Sequence, residues 1–151
     1  MDLNGDGVRL ALPPGWEARV RRQPLRAGRR RGNLLLHLCT RAMPTDRGDF
    51  GSGVVDLLGT DDVFVSLFEY DPQDADAALF AAKGLPTVRP ADFSDRAMQR
   101  VLPGQSGVQY FFSEAGRAFC LYIVLGSHAR RAVGAAKAAA LVRGIDLGAA
   151  S

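Results

Sequence analysis

VLPGQSGVQYFFSEAGRAFCLYIVLG, residues 101–126, is the stretch whose reading decides the fold. It reads as a β-hairpin with arms at 108–113 and 118–125, joined by the polar turn Glu114-Ala115-Gly116-Arg117. Gly116 supplies the positive φ that a tight reversal needs. Side chains alternate across a strand, so Ala118, Cys120, Tyr122 and Val124 face one way and Phe119, Leu121, Ile123 and Leu125 the other. Both sets are apolar. A strand with one wet face would alternate polar and apolar residues, so this arm is expected to be covered on both faces.

Working outward, Ser127 reads as the N-cap of a helix over 128–143 that Gly144 ends. Ala129, Ala132, Val133, Ala136, Ala140 and Leu141 are expected to form its packing face, with Ile145 and Leu147 lying along the sheet beyond it. Upstream, 33–40 (NLLLHLCT) and 62–70 (DVFVSLFEY) read as strands that are apolar on both faces. A short strand at 8–12 stops at Pro13-Pro14-Gly15, and Trp16 is expected to plug the core there. Residues 1–7 read as a polar lead-in. Their D-x-N-x-D-G pattern imitates a calcium loop, but the twelfth position, where a bidentate Glu belongs, is Pro13. Short helices are expected over 53–58, capped by Ser52, and over 75–82, capped by Asp74 with Leu79 and Phe80 turned inward. Residues 98–102 read as an arm leading into the hairpin.

A chain of 151 residues with 47% apolar and 23% charged side chains is that of one ordinary globular domain, residues 1–151. No apolar run reaches the ~20 residues needed to span a bilayer, and the N-terminus lacks the marks of a secretory signal, so a cytoplasmic protein is expected. Cys39 and Cys120 sit in apolar strands and are expected as buried, reduced thiols. Seventeen of the nineteen basic residues are arginine and alanine is abundant, the mark of a GC-rich bacterial genome. The net charge of +3 hides an asymmetry: residues 1–45 carry +6, residues 46–95 carry −8 and residues 96–151 carry +5.

Residues 17–32 (EARVRRQPLRAGRRRG) concentrate that positive charge in Arg19, Arg21, Arg22, Arg26, Arg29, Arg30 and Arg31. Ala18 and Val20 can extend a strand edge, but three adjacent guanidinium groups at 29–31 cannot all be buried and paired. The segment reads as an exposed loop. Arginine forks pair bidentately with carboxylate and phosphate, which makes these seven residues the candidate partner-binding set. No aromatic residue is interleaved with them, which disfavours binding of single-stranded nucleic acid by stacking.

The chemistry of common active sites is missing. There is no phosphate-binding Gly-rich loop, no C-x-x-C, no H-E-x-x-H and no G-x-S-x-G. His37 and Cys39 share a strand face, but only Cys120 and His128 could complete a zinc site, and a buried, hydrogen-bonded neutral histidine is the expectation. Asp61, Asp62, Glu69, Asp71, Asp74 and Asp76 flank one strand and read as exposed acids. No catalytic residue, cofactor or metal is expected.

Pro13-Pro14-Gly15-Trp16 after a first strand, then antiparallel strands, a late hairpin and a C-terminal helix, resembles the PsbP/Mog-type α/β/α sandwich superfamily. GDFGSG (48–53), DDVFVSLFEY (61–70), LPGQSGVQYFF (102–112) and GRAFCLYIVLG (116–126) are similar to segments of uncharacterised bacterial proteins of that superfamily. The resemblance implies an α+β fold: an α/β/α sandwich with a mainly antiparallel central sheet, the C-terminal helix on one face and short helices or loops on the other. Members that are understood are adaptors, PsbP proteins docking on photosystem II and Mog-type proteins on the Ran GTPase. No binding residue carries over from them. The expected function is therefore a non-catalytic binding or adaptor module that docks an acidic protein partner through the Arg-rich loop. The alternative is a small-molecule-binding protein or enzyme with a pocket between sheet and helix, near His37, Tyr110 or Tyr122. Nucleic-acid binding stands third.

Overall fold

Strong β-formers in short runs, separated by Gly, Pro and Asp, build the two sheets of the structure. The structure, a computed structural model, describes residues 2–5, 7–22 and 33–148. Among them are eight strands: β1 (Asp2–Gly5), β2 (Val8–Ala11), β3 (Glu17–Arg22), β4 (Leu34–Cys39), β5 (Val63–Glu69), β6 (Ser106–Glu114), β7 (Arg117–Leu125) and β8 (Ile145–Leu147). One helix, α1 (Arg131–Arg143), precedes β8. The fold is mixed α/β with two antiparallel sheets, one of five strands in the order β3-β4-β5-β7-β6 and one of three in the order β1-β2-β8.

All nine residues of β7 are buried, on both flanks, as the double apolar pattern requires. Phe119, Leu121, Ile123 and Leu125 join Leu34, Leu36, Leu38, Val63, Val65 and Leu67 in one core. That core is closed by α1 and by Val8, Leu10, Ile145 and Leu147 of the small sheet. Cys120, Tyr122 and Val124 join Cys39 and Phe64 on the other face, where Met43 and Val54 cover them. Burying these apolar side chains, at roughly 1.5–3 kcal/mol for each large one, is what holds the central strands in place.

Several local expectations give way to tertiary packing. Residues 2–5 are not a lead-in but β1, paired with β2 from Asp2↔Ala11 to Gly5↔Val8. The strand at 8–11 belongs to the small sheet, where β8 pairs on its other side. The helix starts at Arg131 rather than 128, although the Ser127 hydroxyl does accept the Arg130 N–H at 3.2 Å. Its buried face is Gly134, Ala135, Ala138, Leu141 and Val142, so of the residues expected to pack only Leu141 does, and Val133 is 38% exposed. Alanine on almost every side leaves no apolar stripe to read. Gly134 sets the rotation instead, because a Cβ there would lie 2.8 Å from Leu125 Cδ2. The helices expected at 53–58 and 75–82 are short 3₁₀ turns, Val55–Leu57, Pro72–Asp76 and Ala78–Phe80. Phe80 is buried there but Leu79 is exposed. Residues 98–102 form no strand. Trp16 is half-buried against the first core rather than plugged into it.

The largest correction concerns charge. Arg117, read as a polar turn residue, is 3% exposed, and Glu69, read as an exposed acid, is 5% exposed. Arg117 Nε donates to Glu69 Oε2 at 2.8 Å and its Nη2 to Oε1 at 3.1 Å, while Oε1 also accepts the Leu34 N–H at 3.2 Å. Arg117 Nη1 donates to the carbonyls of Gly7 (3.0 Å) and Gly148 (2.9 Å), and its guanidinium lies 5.0 Å from the Phe119 ring centroid. One side chain therefore ties the five-stranded sheet to the margin of the small one where β2 begins and β8 ends. The hairpin turn is tighter than expected: Glu114 pairs with Arg117, leaving Ala115 and Gly116 at φ 52° and 75°. Positive φ at both central residues is the requirement of a type I′ turn.

Breaking a buried pair leaves an uncompensated charge, so Glu69→Gln and Arg117→Met are each expected to cost about 3–5 kcal/mol in urea unfolding. The double variant Glu69→Leu/Arg117→Met should cost clearly less than the two singles added, and simple additivity would show that the two groups act separately. Ala115 pays left-handed strain that Asn avoids, so Ala115→Asn should raise stability by about 1 kcal/mol, or ~3 °C in Tm.

Candidate functional site

The face of the large sheet opposite α1 carries the polar machinery of the molecule. Residues 48–53 (GDFGSG) cross it as a loop closed on itself, Gly48 N–H donating to Ser52 O at 2.9 Å and Gly51 N–H to Gly48 O at 3.1 Å. Gly51 presses the loop onto the sheet: its φ is 91°, and a Cβ there would lie 2.6 Å from the Phe64 ring. Two strand side chains grip the loop from below. His37 Nε2 lies 2.7 Å from the Asp49 carbonyl, and Ser66 Oγ donates to the same oxygen at 2.7 Å.

His37 is held in one tautomer. Arg47 Nε–H donates to Nδ1 at 2.8 Å, so Nδ1 accepts and the proton sits on Nε2, where it donates to Asp49 O. Burial first, then the charges of Arg47 and Arg21, pushes the imidazole down to about 4, against the Asp49 contacts that raise it. Histidine here is a neutral structural clamp, packed edge-on against Phe64 at 5.2 Å between ring centroids. Cys39 and Cys120 are free and buried, and desolvation raises their thiols to about 11 and about 12, which keeps them protonated and non-nucleophilic. Among the described residues no group of three His, Cys, Asp or Glu could hold a metal ion.

The arginines of the candidate set divide. Arg26, Arg29, Arg30 and Arg31 lie outside the described residues. Arg19, Arg21 and Arg22 lie in β3, so the segment begins as the edge strand of the large sheet and not as a loop. Register sets their directions. Arg19 stands opposite His37 and Arg21 opposite Leu35, which puts both on the loop-bearing face, while Arg22 shares the other face with Ala18 and Val20. Arg21 Nη2 donates to Asp49 Oδ1 at 2.9 Å in an exposed pair, and Arg19 pairs with the half-buried Glu17. Arg47 joins them from the loop: burial, and then the charges of Arg21 and Arg19, push its guanidinium down. Arg47 is the member of this basic cluster that the sequence did not reveal, because it sits in the acidic middle third and reaches β3 only through the fold.

Beside the loop lies a cleft of about 310 Å³. Phe50 and Val55 form one wall, Met98 to Arg100 the other, and Tyr122 and Val124 the floor. The Gln99 N–H donates to the Tyr122 hydroxyl at 2.9 Å, and Arg100 pairs with Asp56 across the rim. Of the three residues expected to mark a pocket, only Tyr122 lines this one. His37 is sealed beneath Asp49, and Tyr110 donates to Asp92 at 2.7 Å elsewhere. The cleft is also on the sheet face away from α1, not between sheet and helix as expected. The acids that flank β5, read as exposed, have structural partners: Asp61 is bound by Arg130 (2.6 Å), Asp62 by Thr40 (2.8 Å) and Asp71 by Asn33 (2.8 Å).

The lowered His37 value fixes a pH dependence. Between pH ~6.5 and ~4 the unfolded chain binds a proton that the folded chain does not, so stability should fall as pH falls through that window, by up to about 3 kcal/mol. The slope should flatten in His37→Gln, measured by urea unfolding at each pH; an unchanged slope would assign the titration to another group. No protein family, no curated protein and no solved structure matches the chain.

Proposed function

We propose that this protein is a non-catalytic binding or adaptor module whose contact surface is the basic edge of its large sheet. The observation that carries the reading is the position of β3: an edge strand with Arg19 and Arg21 exposed on one face and Arg47 beside them. The chain adds four more arginines directly after that strand, so residues 17–32 hold seven guanidinium groups against one acid, Glu17. Such a concentration of guanidinium groups along the sequence favours a carboxylate-rich protein face, met by bidentate, charge-assisted hydrogen bonds. The exposed pair of Arg21 with Asp49 contributes little and exchanges readily for a partner's acid. This reading carries with it the likeness to the PsbP/Mog-type α/β/α sandwich proteins, whose understood members are adaptors.

Affinity capture from native cells, with the retained species identified, tests the proposal. A single acidic protein should be held at about 0.05 M salt and released at about 0.5 M, where screening shortens to a few ångströms. Arg19→Glu/Arg21→Glu, and separately Arg29→Glu/Arg30→Glu/Arg31→Glu, should each abolish capture. Retention of the same protein by either charge-reversed variant would overturn the reading, and retention of nucleic acid in its place would move the function to that class.

A further inference from the structure

We infer that the outer edge of β3 takes up an extended acidic segment of the partner as an added antiparallel strand, its carboxylates on Arg19 and Arg21. The inference rests on the basic-edge reading and adds how the partner is held, by backbone as well as by charge. The two margins of the large sheet differ. On the outer side of β6, Ser113 accepts from Gly84 and donates to Ala82 at 2.8 Å each, and Gly107 exchanges two hydrogen bonds with Ser94 at 2.9 and 3.0 Å. The outer side of β3 has no such cover among the described residues.

Register fixes which groups that edge presents. Thr40, directly after β4, donates its N–H to Val63 O of β5, and the same parity turns Leu36 and Leu38 toward β5. The alternate residues Leu35, His37 and Cys39 therefore bond to β3, through Arg21, Arg19 and Glu17. Ala18 and Val20, lying between these, turn N–H and C=O away from the sheet. The Ala18 carbonyl accepts from Arg19 Nη1 at 3.1 Å on the exposed side, as that direction requires. Both backbone groups of Val20 are open among the described residues, and its side chain is 40% exposed.

Every pair in this sheet is antiparallel, and so is the addition it favours. The incoming residue opposite Val20 exchanges both backbone hydrogen bonds with it, and its side chain lies beside Val20 and Ala18. The residues before and after it point to the other face, opposite Arg19 and Arg21. The edge therefore selects an acid–apolar–acid alternation. Charge on that face sets the sign: Arg19, Arg21 and Arg47 share it with two paired carboxylates, Glu17 and Asp49. Arg47 directs its donors to the His37 ring and to the carbonyls of Pro44 and Thr45, none of which carries a charge. A basic segment would add to that excess, whereas a carboxylate offsets it.

The peptide acetyl-Thr-Glu-Val-Glu-Thr-amide, titrated into the full chain, tests strand and charge separately. It should bind one to one with a dissociation constant on the order of 0.1 mM. Hydrogen exchange at the Val20 amide should slow about tenfold, while Arg19 and Arg21, already bonded to β4, change little. The counterpart with lysine in place of both acids should not saturate, and Arg19→Glu/Arg21→Glu should abolish binding of the acidic peptide. N-methylation of the peptide's valine, and Val20→Pro in the protein, each remove one ladder donor and no charge, and each should weaken binding about tenfold. Proline is tolerated where the N–H faces outward, and if that variant fails to fold the N-methyl peptide decides on the unaltered chain. Loss on charge reversal with indifference to N-methylation would overturn strand addition and leave the basic edge as the contact. Indifference to charge reversal would remove both. Absence of saturable binding, or a Val20 amide as protected as Arg19 in the free chain, would also overturn strand addition. Protection of Val20 that grows with protein concentration alone would give the edge to a second copy instead.

Discussion

A strand that is apolar on both faces can be stable only between two coverings, and β7 imposes that condition on everything around it. One covering is made of regular elements, α1 and the small sheet. The other, among the described residues, has no regular element longer than a 3₁₀ turn, so it is assembled from loops, and loops bring polar backbone groups that must be satisfied. His37, Ser66 and Arg47 meet that need at the 44–53 segment, as the Tyr122 hydroxyl does at Gln99. The polar network and the cleft therefore have one origin. Both follow from closing a flat apolar surface with irregular chain.

The buried ion pair answers a different need. The small sheet gives the first core Val8, Leu10, Ile145 and Leu147, but Gly7 and Gly148 at its margin carry inward-pointing carbonyls. Arg117 caps both while its charge is neutralised by Glu69, and Glu69 in turn receives the first backbone N–H of β4. Desolvating both charges costs several kcal/mol, which good geometry and the additional hydrogen bonds offset. Its contribution is to fix how the two sheets meet, more than to add net stability.

What could be read from the residues, and what could not, divides along the same physical line. The strands β4, β5 and β7, and the two-face assignment of 118–125, were legible because period-two apolar runs bounded by Pro, Gly and Asp have few other solutions. The orientation of α1 was not, since an alanine-rich helix carries no stripe and its rotation is set by the contact of Gly134 with Leu125. Arg117 and Glu69 looked like surface charges because sequence shows each alone, 48 residues apart, and only pairing removes the cost of burying them. At the candidate site, the arginines of residues 17–32 stood out by composition. Arg47 and the cleft did not, for both depend on where a Gly-rich loop lands.

The edge strand also bears on how copies of this protein meet each other. An unpaired sheet edge is a template for another strand, and two such edges in antiparallel register would extend the sheet from molecule to molecule. At β3 that docking would set Arg19 and Arg21 of one copy against the same residues of the next, guanidinium facing guanidinium. Their mutual repulsion opposes self-addition at this edge. The same charges that would greet an acidic stranger thus turn away a twin, a form of colloidal protection written into six residues.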